Sequence, residues 1–535
     1  MSLNPKHRSG SRSSFHLSEI PETVFKSHKK RNLNSNDNFY KQILFRFRWK
    51  QLFILYLTIF TVIHYFERVK PSNIIKSCIW ENWENWSNNN ENIEINPHHS
   101  IIIGDPQIVD EFSYPTRNWI QLFLTKLFSD NYLHRNHNLY SQILNPDSII
   151  FIGDLFDGGR EWEDSIWLNE YIRFNKIFNP ILGIKQFRQI PGNHDIGFGN
   201  GINFERYSRF KSFFGNADDV LLLGNHSIVL LDTVSMSCTD NLNINKLSND
   251  FVKTFQNSNN PYKNYPRIVF SHVPLYRFTE LQSCNSIRES KRNFPVARGE
   301  QYQTVLDYDM SQNILNWIKP IMIFSGDDHD YCHIRHPFGK NYSKDPKDYK
   351  FNKGDHPGKK YTDEITVKTS SMTGGIKKPA IQLLSMWNPI NKQDENWIIN
   401  NKDSLTIDSE TAKTHLCYLP SPFQPLIHYT IILIIGIWWI FICTVQIGFG
   451  NSLNLKFSQY VNKIKKNIEK LFKKDIKSID SDYLNIKNNN KFEKYFNSLL
   501  DWEIELQTDW KSFLINTFAY ISLMFLTLIW YINSI

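Results

Sequence analysis

Apolar positions gather along this chain in two ways, as three long runs near its ends and as a series of short runs between them. The long runs approach the length that a bilayer core demands of a helix, ~20 residues. Leu426 to Phe449 and Phe513 to Ile532 contain no Asp, Glu, Lys or Arg. Gln51 to Phe66 is shorter and lies between Lys50 and Glu67. Arg48 and Lys50 suit snorkelling there, and Trp49 and Tyr65 suit the two interfaces. A buried helix is the alternative for this first run. The short runs each end in Gly or Ser followed by Asp, Asn or His. They are SIIIGDPQ (Ser100 to Gln107), SIIFIGDLFDGG (Ser148 to Gly159), FRQIPGNHD (Phe187 to Asp195), RIVFSHVPLY (Arg267 to Tyr276) and IMIFSGDDHDYC (Ile321 to Cys332). Segments such as IIFI and IVF predict strands covered on both faces. Trp119 to Phe128 and Trp162 to Phe178 have helical length and mixed polarity. Strands alternating with helices predict an α/β layout with ligands where strands end. ITVKTSSM and PAIQLLSMW are expected to add further strands.

Charge orients the long runs. The leading segment carries Lys6, Arg8, Arg12, Lys26, Lys29, Lys30, Arg31, Lys41, Arg46 and Arg48, and the segment between the last two runs carries Lys463, Lys465, Lys466, Lys470, Lys473, Lys474 and Lys477. Positive charge stays on the cytoplasmic side, so both are expected there. About fifty residues precede the first run and no small-residue cleavage pattern follows it, which predicts a signal anchor. The expected organisation is a disordered basic tail over 1–42, membrane helices over 50–67, 426–449 and 513–532, a lumenal domain over 68–425 and a basic cytoplasmic loop over 450–511. Asn85-Trp86-Ser87, Asn225-His226-Ser227 and Asn341-Tyr342-Ser343 are glycosylation signals, and all lie in the lumenal stretch.

Composition narrows the class. With 22 Gly and 22 Pro among 535 residues, collagen-like and Pro/Gly-rich disordered chains are excluded. A net charge of +8 is modest for this length and implies no nucleic-acid partner. Six cysteines are too few for a disulfide scaffold, and none is spaced as a zinc site. Five of them fall on the oxidising side, where Cys78 and Cys417, flanking the domain, are the first candidates for a bridge; five free thiols are the alternative.

Five strand-end motifs in this order resemble the calcineurin-like metallophosphoesterases, whose signature runs D-x-H, GD-x-x-D, GNH[DE], a strand-end His and GH-x-H. The likeness covers about Ile101 to His329. It implies a four-layer αββα sandwich, here flanked by transmembrane helices, and a centre of two divalent metal ions. One ion would take Asp105, Gln107, Asp154 and His329. The other would take Asp154, Asn193, His272 and Asp327, with Asp154 bridging and His194 beside the substrate phosphate as the catalytic residue. Gln107 and Asp327 stand where the family pattern has His. Gln107 would bind through its amide oxygen or only through water. Both changes put oxygen in place of nitrogen, which favours manganese or magnesium over zinc or iron.

The chemistry is coherent without the family. Two cations ~4 Å apart can activate water and clamp phosphoryl oxygens, which needs clustered hard ligands and one shared carboxylate. An imidazole such as His194 can protonate a leaving alkoxide. Asp195 either orients His194 or forms the turn. Arg160 either grips a phosphate or pairs with Glu161 or Glu163. One of Asp328 and Asp330 is expected to support His329. His98, His99, His226, His333 and His336 are expected at the surface or in loops.

Further motifs, including WENWENW, GDLFDGGREW, SDNYLHRN and EQYQTVL, resemble the membrane branch of this family that remodels glycosylphosphatidylinositol (GPI) anchors in the endoplasmic reticulum. The resemblance implies removal of ethanolamine phosphate from the first mannose of the glycan, on a GPI glycolipid or GPI-anchored protein. The alternatives are the second mannose, a soluble lumenal phospho-substrate, or a non-catalytic manganese-binding membrane protein. The last is disfavoured because the long runs hold no Asp, Glu, Lys or Arg and because His194 has no use in a storage site.

Overall fold

A computed structural model describes residues 47–86, 95–257, 265–291, 293–299, 301–338, 360–388, 411–444 and 510–534. The 1–42 tail, Asn341 and nearly all of the 450–511 loop lie outside the described residues. Two units are distinguished. In the smaller, which joins residues 1–49 to 443–516, the Asn516 side chain accepts from the Arg48 N–H at 2.9 Å. The larger, residues 50–442 with 517–535, holds both sheets and the candidate site described below.

Among the described residues three helices are long and apolar enough to cross a membrane: Trp49–Lys76, Phe423–Thr444 and Trp510–Asn533. The first runs past its apolar stretch through one wide turn, Tyr65–Val69, into Lys70–Lys76, and Pro71, which has no N–H to give to the preceding turn, stands directly after that wide turn. Tyr520 Oη donates to the Ile432 carbonyl at 2.7 Å, joining the other two helices.

Between the helices lie two sheets. The strands are β1 (His98–Ile103), β2 (Ser148–Phe151), β3 (Lys185–Phe187), β4 (Asp219–Leu223), β5 (His226–Leu231), β6 (Arg267–Ser271), β7 (Met322–Ser325), β8 (Cys332–Phe338), β9 (Lys360–Thr366), β10 (Ala380–Met386) and β11 (Ala412–Tyr418). One sheet has the order β11-β10-β1-β2-β3 and the other β4-β5-β6-β7-β9-β8. Strand alternation sets the layers. Ile102, Ile150, Ile268, Phe270, Phe324 and Leu384 belong to one core formed by residues of both sheets. Their neighbours turn the other way: Ile101, Ile103, Phe151, Val269 and Ile323 join a core with helices Trp119–Leu144, Asp164–Ile177 and Leu242–Thr254. This is the four-layer sandwich expected.

Several elements differ from their sequence reading. The helix expected over Trp119 to Phe128 extends to Leu144, started by a reciprocal Asn118–Gln121 cap and stopped at Asn145 in a left-handed conformation. ITVKTSSM contributes only its first two residues to a strand, β9, which begins at Lys360. The hairpin β4–β5 and strands β8 and β11 were not read from the pattern at all. Of the histidines expected at the surface or in loops, all five lie on strands, and His226 and His336 are buried. Cys78 and Cys417 are bridged, with Cα atoms 5.7 Å apart, and Cys284 pairs with Cys332. Cys238 and Cys443 are free.

Candidate metal centre

Every predicted ligand follows a strand, in a loop or, for Asn193, at the start of the one-turn helix Asn193–Ile196. Asp105 and Gln107 follow β1, Asp154 follows β2, Asn193 and His194 follow β3, His272 follows β6, and Asp327 and His329 follow β7. Because β1, β2 and β3 run parallel, as do β5, β6 and β7, their carboxyl ends lie on one side of each sheet. Links between loops bring the two sides together. Gly326 N donates to the His272 carbonyl at 2.8 Å, Thr369 Oγ1 to the Asp105 carbonyl at 2.7 Å, and Asp327 N to Asp105 Oδ1 at 3.0 Å.

The backbone is unusually contorted here. Asp105, Gln107, Asp154, Asp327 and His329 all have positive φ, between 33° and 68°. That conformation is unfavourable for residues with a Cβ and concentrates where surrounding structure enforces it for function. Glycines make the remaining room. A Cβ on Gly192 would lie 1.9 Å from Asp154 Oδ1, and one on Gly153, where φ is +99°, would lie 2.5 Å from His272 Nδ1. Only glycine fits ahead of the Asp in GD and the Asn in GNHD.

Ligand atoms of Asp105, Asp154 and His272 all lie within 4.8 Å of one another. His272 Nδ1 is 2.9 Å from the Ile152 carbonyl, which only accepts, so Nδ1 carries the proton and Nε2 presents a lone pair. That lone pair faces oxygens alone: Asn193 Oδ1 at 3.3 Å, Asp154 Oδ1 at 3.4 Å and Asp327 Oδ1 at 3.7 Å. Asn193 is turned this way because its amide donates to the Gln301 carbonyl at 3.1 Å. Likewise His329 directs Nδ1 at the Gly374 carbonyl, 3.1 Å away, freeing its Nε2. Asp105 Oδ2 is buried with no hydrogen-bond partner among the described residues. A nitrogen lone pair and several oxygens converging without a proton between them repel one another; divalent cations fit there and relieve the repulsion.

Titration behaviour points the same way. Burial, then the charge of Asp154, pushes Asp105 well above the usual carboxylate range, and burial with Asp154 and Asp328 does the same to Asp327. Burial pulls Asp154 upward too, but His272 and His194 hold it below its ordinary value. His272 and His329 are lowered by burial, which keeps them neutral as ligands must be. Gln107 presents its Nε2 to Asp154 Oδ2 at 3.0 Å, as a donor to the carboxylate at the centre of the cluster.

His194 is set apart from this group. Its N–H donates to Asp154 Oδ1 at 3.0 Å, while its ring Nδ1 lies 2.7 Å from the Asp157 carbonyl and 3.2 Å from Asp157 Oδ1. Burial works against protonation of this ring, but Asp154 and Asp157 carry its pKa up to about 10. Asp157, which the sequence reading passed over, is thus the residue that orients His194; its signal was the second Asp of GDLFD. Asp195 does not take that role. Its carboxylate accepts from Gly192, Leu155 and Phe156 N–H groups and builds the turn. Arg160 pairs with Glu161 at 3.2 Å and donates to the Asn193 carbonyl at 3.0 Å. Neither expected carboxylate supports His329: Asp328 pairs with Arg288, and Asp330 with buried Lys368 at 2.8 Å.

Comparison with known proteins agrees with this geometry. Residues 98–331 match the calcineurin-like phosphoesterase family. The chain is similar to cell division control protein 1 of Saccharomyces cerevisiae, with 40% identity over 387 residues, 72% of each chain. It is also similar to metallophosphoesterase 1 of Mus musculus, 27% identical over 41% of this chain and 58% of that one, and of Gallus gallus, 28% identical over the same shares.

Proposed function

The chain belongs to the calcineurin-like metallophosphoesterases, metal-dependent phosphoester hydrolases, and on that premise we propose that it removes ethanolamine phosphate from the first mannose of the GPI glycan. The observation that carries the hydrolytic part is the convergence of the His272 lone pair with oxygens of Asn193, Asp154 and Asp327. Asp105, Asp154, Asn193, His272, Asp327 and His329 would hold two cations, with Gln107 supporting Asp154. Manganese suits this oxygen-rich set. Bound divalent cations supply charge to the phosphoryl oxygens and lower the pKa of an attacking water.

His194 acts on the leaving side. Its Nδ1 is engaged by the Asp157 carbonyl at 2.7 Å with the Asp157 carboxylate 3.2 Å away, an arrangement that favours the protonated ring and leaves Nε2 to hold a proton. It delivers that proton to the mannose oxygen as the P–O bond breaks, which a poor alkoxide leaving group requires. A membrane helix at each end of the domain suits a substrate held in the bilayer. The GPI assignment itself rests on the motif resemblance to the GPI-remodelling branch. So does location in the endoplasmic reticulum membrane, with the domain lumenal as the basic flanking segments favour.

The test is hydrolysis by the manganese-loaded full-length protein in lipid nanodiscs. Release of ethanolamine phosphate from GPI glycolipid carrying it only on the first mannose is expected. Release only from the second mannose would move the assignment to the sister activity. Turnover of soluble diesters alone would remove GPI as the substrate.

A further inference from the structure

Apart from the three long helices, a continuous exposed apolar face lies on the first turns of helix Trp119–Leu144. Trp119 is 78% exposed, Ile120 50% and Phe123 56%. Between 119 and 128 only Gln121, Thr125 and Lys126 are polar. At helical spacing Trp119, Ile120, Phe123 and Leu127 fall within about 100° of one another, with Leu124 beside them and Phe128 turned farther round toward the spanning helices. Ion pairs Lys126–Glu170 and Asp130–Arg173 set the neighbouring helix in register, which brings exposed Ile166 to the level of Phe123. Phe112, just ahead of the helix, is also exposed.

The same helix continues into an interface with the spanning helices. Phe128 and Tyr132 line a cavity of about 30 Å³ with Leu426, Tyr429, Leu528 and Ile532. Arg135 pairs with Glu67, whose other oxygen accepts from Tyr429 Oη at 2.7 Å, and Tyr132 Oη donates to the Pro420 carbonyl at 2.7 Å. Direction follows from two contacts. Leu144 receives Trp80 Nε1 at 2.7 Å, and Arg135 meets Glu67, so from 144 back to 135 the helix descends beside the first membrane helix. Phe128, seven residues nearer the start of the helix, still lines that cavity with Leu426 and Ile532 at the ends of the spanning helices, and the exposed turns 119–127 continue from it.

We propose that the first three turns of helix Trp119–Leu144 lie in the bilayer interface, so that lipid covers Trp119, Ile120, Phe123 and Ile166. Continuity with the membrane helices selects lipid as the occupant. A flanking group suits it too: Arg117, stacked on Tyr114 at 3.7 Å just ahead of the helix, is placed to meet phosphate headgroups. The consequence reaches the metal centre. The preceding loop carries Gln107 and Asp110, and Asp110 Oδ2 accepts from Gly158 N at 2.9 Å and Trp162 Nε1 at 2.8 Å, locking it to the loop of Asp154 and Asp157. Seating this helix in lipid therefore fixes the height of the site above the membrane.

The test is independent of the substrate assignment. In full-length protein carrying Cys443→Ala and reconstituted in phosphatidylcholine nanodiscs, a nitroxide is attached at Phe123→Cys and, separately, at Trp119→Cys. Collision with oxygen and with a water-soluble nickel chelate is measured, with turnover of bis(p-nitrophenyl) phosphate as the check on folding. Labels at Ile434→Cys, in a spanning helix, and at Leu182→Cys, fully exposed in a loop, give the lipid and water references. Both test sites are expected to favour oxygen over nickel several-fold, like position 434. Accessibility like that at 182 overturns the proposal. So does protection from both reagents, which is the signature of a protein partner or a second copy.

Discussion

Glu364→Gln tests how the second sheet holds two of the candidate ligands in place. Glu364 on β9 is fully buried and accepts from Arg277 at 3.0 Å, the Leu275 N–H at 3.0 Å, Ser325 Oγ at 2.8 Å and His336 Nε2 at 2.6 Å. Leu275 lies three residues past His272, and Ser325 two before Asp327, so one carboxylate ties both strand ends. Burial would raise its pKa, yet Arg277 and His336 bring it down from 4.5 to about 2. A depressed carboxylate contributes stability that is fully present above its unfolded value and lost as pH falls toward the folded one. At 1.36 kcal/mol per unit the charge contributes about 3 kcal/mol at pH 7. Glutamine keeps the shape and removes the charge, leaving Arg277 buried and unpaired. Guanidinium unfolding in detergent, followed by tryptophan fluorescence, is therefore expected to show the variant about 3 kcal/mol less stable at pH 7. The gap should narrow to roughly half at pH 3 and nearly close by about pH 2. A gap under ~1 kcal/mol at pH 7, or one that widens in acid, would refute the reasoning.

Other perturbations have equally definite outcomes. Asp157→Asn removes the charge that orients His194, so kcat should fall about 10–100-fold while metal content by mass spectrometry is unchanged; parallel loss of metal would contradict the assignment. Asp154→Ala removes the carboxylate shared by both proposed sites, and bound metal should drop from two ions per chain to less than one. Arg135→Ala leaves Glu67 buried without its partner and should lower stability by about 3–5 kcal/mol in the same unfolding assay. Cys78→Ser, which opens the link from the first helix to β11, should lower it by about 2–5 kcal/mol, and no change would mean that the bridge is not formed in the protein.

What was legible in the sequence was whatever left a local signature. Buried parallel strands read as unbroken apolar runs, and ligand loops as Gly-Asp, Gly-Asn and Ser-His at their ends. The elements missed lack such marks. Strand β8, CHIRHPF, is broken up by His333, Arg335, His336 and Pro337 and so shows no apolar run, and its buried His336 is explained by Glu364 on the neighbouring strand, 28 residues later. The length of helix Trp119–Leu144 was hidden by Arg135, Asn136 and His137, polar residues buried at its contacts with the core and with Glu67. Of the two readings open for Asp195, the turn holds, and Asp157 orients His194 instead, for a geometric reason. A residue that follows His194 directly is drawn into the turn that positions it, whereas Asp157 reaches the ring from another loop. Carbonyl partners such as Ile152 and Gly374 leave no trace in residue identity at all.

The central claim is tested most directly by mass spectrometry of GPI glycans from cells in which His194→Ala replaces the native protein, with folding and location of the variant verified. The account predicts that ethanolamine phosphate persists on the first mannose. Glycans identical to those of cells with the native protein would contradict it.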